Sequence, residues 1–169
     1  VDLAIGVSHE GSQSMIYAYD NTGTERDSVY SEAKLTYSAP ANYTNSGEMA
    51  LVLYVKGNPD NDASAMWIVL NDNLGAIATY GDNGMGDEPN DIMIDGWIEW
   101  NIDLAVFADG GVDLTNVTSI SIGFGDVTDT VAGGVGSVHI DDMAMYPVRC
   151  VPDFTPGIFD LNDDCVVDW

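Results

Sequence analysis

Apolar and polar residues alternate with a period of two through most of the chain. Between Glu48 and Lys56 one row holds Met49, Leu51, Leu53 and Val55, and the other holds Ala50, Val52, Tyr54 and Lys56. Side chains of an extended chain point to opposite faces in turn, so this pattern predicts a strand. The same alternation runs through residues 14–20, 30–37 and 117–125, which also read as strands. Residues 65–71 and 74–80 predict a hairpin turning at Asp72-Asn73. Residues 92–104 predict one long strand, or two bent at Gly96, with Ile98, Trp100, Ile102 and Leu104 as a core row. Residues 81–91, with three glycines and four acids, read as an exposed loop, and only residues 105–116 leave room for a short helical turn. Many short strands and almost no helix predict an all-β fold, an antiparallel β-sandwich.

Residues 136–146 read G-S-V-H-I-D-D-M-A-M-Y. Val138, Ile140, Met143 and Met145 share a core face only if the alternation shifts phase at Asp141-Asp142, which predicts a β-bulge there. Two adjacent carboxylates at a bulge suit a positive partner. Because the chain has only four Lys and Arg, a metal ion is the favoured one.

This stretch resembles the last strand of the galactose-binding-like jelly rolls, a β-sandwich group that includes many carbohydrate-binding modules of secreted bacterial proteins. The resemblance extends to H-E-G-S-Q-S-M-I-Y-A-Y-D-N at 9–21, Y-S-E-A-K at 30–34, W-I-E-W-N-I-D-L at 97–104 and V-D-L-T-N-V-T-S-I-S-I-G-F-G at 112–125. It implies a jelly roll over residues 1–147, lacking its first edge strand because the family's opening strand and its acidic residue belong upstream of Val1. It further implies a structural calcium ion pinning the last strand to the start of the domain. Asp141 supplies the side-chain ligand, and the segment from Glu10 to Ser12 supplies a backbone carbonyl.

Residues 148–169 form a separate tail. In D-L-N-D-D-C-V-V-D, Asp160, Asn162, Asp164 and Asp168 take positions 1, 3, 5 and 9 of a calcium loop, with the Val166 carbonyl at position 7. This resembles the start of a dockerin-type repeat, although Cys165 stands at the usual glycine and the acidic ligand at position 12 is absent from the sequence. An acidic tail without an ion is the competing reading. Cys150 and Cys165 can close a disulfide loop worth about 3 kcal/mol in an exported protein, or stay as two thiols.

The 169 residues fit one domain, which buries roughly 70% of its unfolded surface. With 28 acidic residues against four basic ones, the formal charge of −24 disfavours nucleic acid and anionic membrane surfaces. No apolar run is long enough to insert in a membrane, and Val1 reads as the start of a mature or trimmed chain. Asn42-Tyr43-Thr44 and Asn116-Val117-Thr118 permit glycosylation, although such tripeptides occur often by chance, and the resemblance to modules of secreted proteins implies an extracellular or cell-surface setting.

His9 and His139 stand isolated in sequence, no glycine-rich loop opens a helix, and carboxylates are too numerous for any pair to signal catalysis; the chain reads as a non-enzyme. Tyr54, Trp67 and Trp97 share rows with polar residues and are the candidate rings for stacking on sugar. A calcium-bearing module that binds a polysaccharide is the first expectation. The alternative is a subunit of an extracellular fibre or surface layer, whose copies join by lending a strand or tail to an open sheet edge.

Overall fold

The computed structural model describes residues 1–24, 28–81, 88–125 and 132–147. Nine strands account for 53% of these residues and helix for 8%. In chain order they are β1 (Asp2–Ile5), β2 (Gln13–Asp20), β3 (Tyr30–Ala41), β4 (Glu48–Lys56), β5 (Met66–Leu70), β6 (Ile77–Thr79), β7 (Trp97–Asp103), β8 (Val117–Gly125) and β9 (Val135–Pro147). They form two antiparallel sheets, one ordered β1-β2-β9-β4-β7 and the other β3-β8-β5-β6. This is the expected antiparallel β-sandwich of jelly-roll type. The tail, with Cys150, Cys165 and the loop residues Asp160, Asn162, Asp164, Val166 and Asp168, lies outside the described residues.

The alternation decides which side chains are enclosed. Leu51, Leu53 and Val55 of β4, Trp100 and Ile102 of β7, and Val138 and Ile140 of β9 face Met66, Ile68 and Leu70 of β5 and Ile120, Ile122 and Phe124 of β8 in one core. β4 lies inside its sheet, bonded to β7 on one side and β9 on the other.

The bulge predicted from the sequence is present. Tyr54 pairs with Asp141 and Val52 with Ala144, so Asp142 and Met143 stand opposite the single residue Leu53, and Asp142 adopts φ 49°. Its effect falls on Met145, which packs on the core, while Met143 is 41% exposed, contrary to the expectation that it faces inward. Met49 and Leu35 also lie in the open, at 52% and 58% exposure.

Two local expectations are corrected. Residues 92–93 belong to a 3-10 turn, Pro89–Met93, because proline fixes the first helical φ and Glu88 and Asp91 form a reciprocal cap. Trp97 then opens a single strand. The β5–β6 turn is centred one residue earlier than expected: Asn71 and Asp72 take φ 54° and 55°, and the Asn73 N–H donates to Leu70 O at 3.0 Å. Asn and Asp tolerate left-handed backbone better than other residues with a Cβ, which suits both central positions. The helical turn expected within 105–116 is α1 (Ala105–Asp109), which buries Phe107.

Candidate functional site

Outward-facing rows of the two sheets carry the candidate chemistry. On the four-stranded sheet, Met66, Ile68 and Leu70 point into the core, so Trp67 and Val69 point out. Trp67 is nonetheless only 4% exposed. Its ring lies over Gly123 of β8, where an added Cβ would come 2.1 Å from Cζ2, and its indole N–H donates to Gly125 O at 2.7 Å. Glycine at this crossing lets a large ring lie against the sheet. This corrects the expectation that Trp67 presents a free ring face.

Trp67 instead floors a depression of about 180 Å³ lined also by Tyr30, Glu32, Val69, Asp72 and Leu74. Tyr30 is its exposed ring, at 39% exposure, and Leu74 is exposed as well. Lys34 bonds both carboxylate oxygens of Asp72 at 2.6 Å, bridging β3 to the β5–β6 turn across the sheet. The result is a concave surface with an aromatic floor, an aromatic wall and charged groups at its rim. Alternation puts Tyr30, Glu32 and Lys34 in one row of β3, but nothing in the spacing sets that row beside Trp67.

The five-stranded sheet gathers Tyr54 and Trp97, as neither the spacing nor the resemblance foretold, around His9. The His9 ring stacks on Tyr54 with centroids 3.6 Å apart and planes 11° from parallel. Trp97 stands edgewise to His9 at 5.9 Å and to His139 at 6.5 Å. The Tyr54 hydroxyl donates to Glu99 Oε2 at 2.5 Å, and Lys56 pairs with Asp95. Burial, then the nearby Lys56 ammonium, hold the His139 imidazole below its ordinary pKa, and its Nδ1 lies 3.1 Å from Ser14 Oγ. Because His9 covers one face of Tyr54, that ring face is occupied from within the chain.

The same loop reaches the bulge. The His9 N–H donates to Asp141 Oδ2 at 2.8 Å, the Asp142 N–H donates to Asp141 Oδ1 at 3.0 Å, and His9 Nδ1 lies 2.8 Å from Asp142 Oδ2. Both oxygens of Asp141 therefore face N–H groups, and Glu10 and Ser12 are exposed. Among the described residues no three acidic, histidine or cysteine side chains converge as a metal site. The tie between β9 and the start of the chain, which the resemblance assigns to an ion, is made here by direct hydrogen bonds. Asn42 and Asn116, the two sequon asparagines, are both exposed.

No family model and no curated protein matches the chain. Solved structures do match in fold. The family 11 carbohydrate-binding module of the cellulosomal cellulase Lic26A-Cel5E of Clostridium thermocellum is similar with a TM-score of 0.56 and 12% identity, over 87% of this chain and 80% of that one. The family 30 module of the cellulosomal cellulase Cel9D-Cel44B of the same organism gives 0.55 and 11%, over 86% and 81%. A family 11 module from that organism, in complex with a β-1,3-1,4-mixed-linked tetrasaccharide, gives 0.55 and 14%, over 87% and 81%. The chain thus has the jelly-roll fold seen in carbohydrate-binding modules.

Proposed function

We propose that the chain is a non-catalytic module that binds a polysaccharide on the outer face of its four-stranded sheet. The observation that carries this reading is the open depression between Tyr30 and Trp67, a concave, aromatic and polar surface on a fold shared with carbohydrate-binding modules. Tyr30 supplies the exposed ring on which the apolar face of a pyranose packs, and Glu32, Asp72 and Lys34 supply hydroxyl partners. The opposite face is the weaker candidate, because Tyr54 is covered by His9. Such a module works where polysaccharide is, outside the cell or at its surface.

The test is retention on affinity gels and calorimetry with soluble mixed-linkage β-glucan, xyloglucan and carboxyl-free cellulose derivatives. The intact chain should bind one of them. Tyr30→Ala should weaken binding at least tenfold, the equivalent of about 1.4 kcal/mol, and Tyr30→Phe should keep most of it. Trp97→Ala should leave affinity unchanged. Loss with Trp97→Ala and not with Tyr30→Ala would move the site to the five-stranded sheet, and absence of binding to every glycan would sink the reading.

A further inference from the structure

The register of the four-stranded sheet sets one carboxylate beside the aromatic floor. Glu32 of β3 pairs with Gly123 of β8, and Gly123 pairs with Trp67 of β5, so the three lie in one row across the sheet. Neighbouring strands run about 4.8 Å apart, which puts the Glu32 and Trp67 backbones about 10 Å from each other. Gly123 has no side chain, and the six-membered part of the indole occupies the place one would take. Glu32 is therefore the next side chain beyond the ring in that row. It is exposed, and it lines the same depression as the exposed Tyr30 ring.

The charges of the depression are unequal. Asp72 is held through both oxygens by Lys34, at 2.6 Å. No ion pair engages the Glu32 carboxylate among the described residues. Lys56, the other lysine, belongs to the opposite sheet and pairs with Asp95. The lining thus offers one uncompensated negative charge and no uncompensated positive one.

We propose that this site selects polysaccharides whose sugars bear free amino groups, and that Glu32 is the residue that reads the ammonium. The inference rests on the Tyr30 depression being the glycan site. A pyranose packed flat on an aromatic ring directs its equatorial substituents outward, in the plane of the sugar, so an ammonium at C2 of a sugar on Tyr30 is presented to the wall of the depression. Glu32 accepts from it there. A hydrogen bond with ionised partners is roughly twice as strong as a neutral one. A neutral glucan offers a hydroxyl in the same place and binds through Tyr30 less tightly, and a glycan carrying carboxylates meets repulsion from Glu32 with no lysine to offset it.

The formal charge of −24 attracts any polycation, so the test separates this residue from the whole chain. Calorimetry on the intact chain compares the β-1,4-linked hexamers of glucosamine, N-acetylglucosamine and glucose. Slightly acid pH keeps the sugar amines charged, and about 0.15 M salt screens charges farther than about 8 Å. The glucosamine hexamer should bind at least tenfold tighter than the other two. Glu32→Gln should remove most of that preference and leave affinity for the glucose hexamer within about twofold. Glu10→Gln removes the same charge from the His9 loop on the opposite face and should keep the preference. A preference that survives Glu32→Gln, or that falls equally in the two variants, would assign it to the net charge and overturn the proposal. Binding of all three hexamers with no preference would overturn the selectivity and keep the glycan site, provided Tyr30→Ala weakens all three. Binding of none would overturn the proposal, and the affinity gels would then decide the glycan site by themselves.

Discussion

Gly123 sets the position of the Trp67 ring. Gly123→Ala would drive a methyl group into Trp67, 2.1 Å from Cζ2. Overpacking of this kind costs about 1–3 kcal/mol, and each kcal/mol moves the midpoint of a domain this size by about 2–4 °C. The variant should melt measurably lower and lose glycan affinity with the floor of its depression; an unchanged midpoint would mean that Trp67 is not seated there. Three tyrosines carry a second expectation at this scale. Burial, then Glu32, raise Tyr17; burial, then Asp62, push Tyr19 up to about 12; burial, then the Tyr37 hydroxyl, raise Tyr43. The folded state thus holds these phenols protonated at a pH where the unfolded chain, with tyrosine near 10, has released them. Their contribution is intact below about pH 10 and is lost as pH rises above that, through about 12 for Tyr19. An ultraviolet titration should show part of the tyrosine absorbance change arriving only with unfolding; if all eight tyrosines titrate near 10 in the folded protein, the packing around these three is wrong. Alternation made Tyr17 and Tyr19 readable as one row. Trp67 was not readable as buried, because a period of two fits either face and the deciding residue, Gly123, lies in another strand.

Among the elements, β9 gives the sharpest comparison. Asp142 and Met143 share the place opposite Leu53, which is fully enclosed. Deleting Met143 straightens the strand and turns the Asp142 carboxylate toward the core beside Leu53, a burial costing several kcal/mol, so this variant should fail to fold. Deleting Asp142 places Met143 there instead and should yield a folded protein with a lower midpoint, because the side-chain contact to His9 and the N–H bond to Asp141 are lost with it but no charge is buried. Circular dichroism and melting of the pair decide the matter; equal stability would deny the bulge its role. The bulge was legible because the phase of the apolar residues slips at one point in the sequence. The 3-10 turn at Pro89–Met93 was not, since Ile92 and Ile94 continue the alternation of the following strand while Pro89 and the Glu88–Asp91 cap override it. The His9 loop was equally hidden. Its partners, Tyr54, Asp141 and Asp142, are distant in sequence, and only strand order brings them under one histidine.

For the whole molecule, the manner in which the chain's start is fastened has a direct thermal readout. With Asp141 bonded to the His9 N–H and its own neighbour's, chelation should leave the midpoint within about 1 °C, while Asp141→Ala should lower it by roughly 2–8 °C for a loss of about 1–2 kcal/mol. A midpoint that falls with chelator and returns with calcium would show an ion at the bulge and displace the direct tie. Fold class was legible from alternation alone, but sheet order was not, because pairing partners leave no mark in a strand's own pattern. That order bears on how the protein is made. β9, last of the strands among the described residues, sits between β2 and β4. During synthesis the two earlier strands must wait, unpaired on their inner edges, until nearly the whole sandwich has left the ribosome, so the larger sheet closes late and through contacts of long sequence separation, the kind that makes folding slow. A nascent chain halted before residue 135 would hold two apolar half-sheets with nothing to join them.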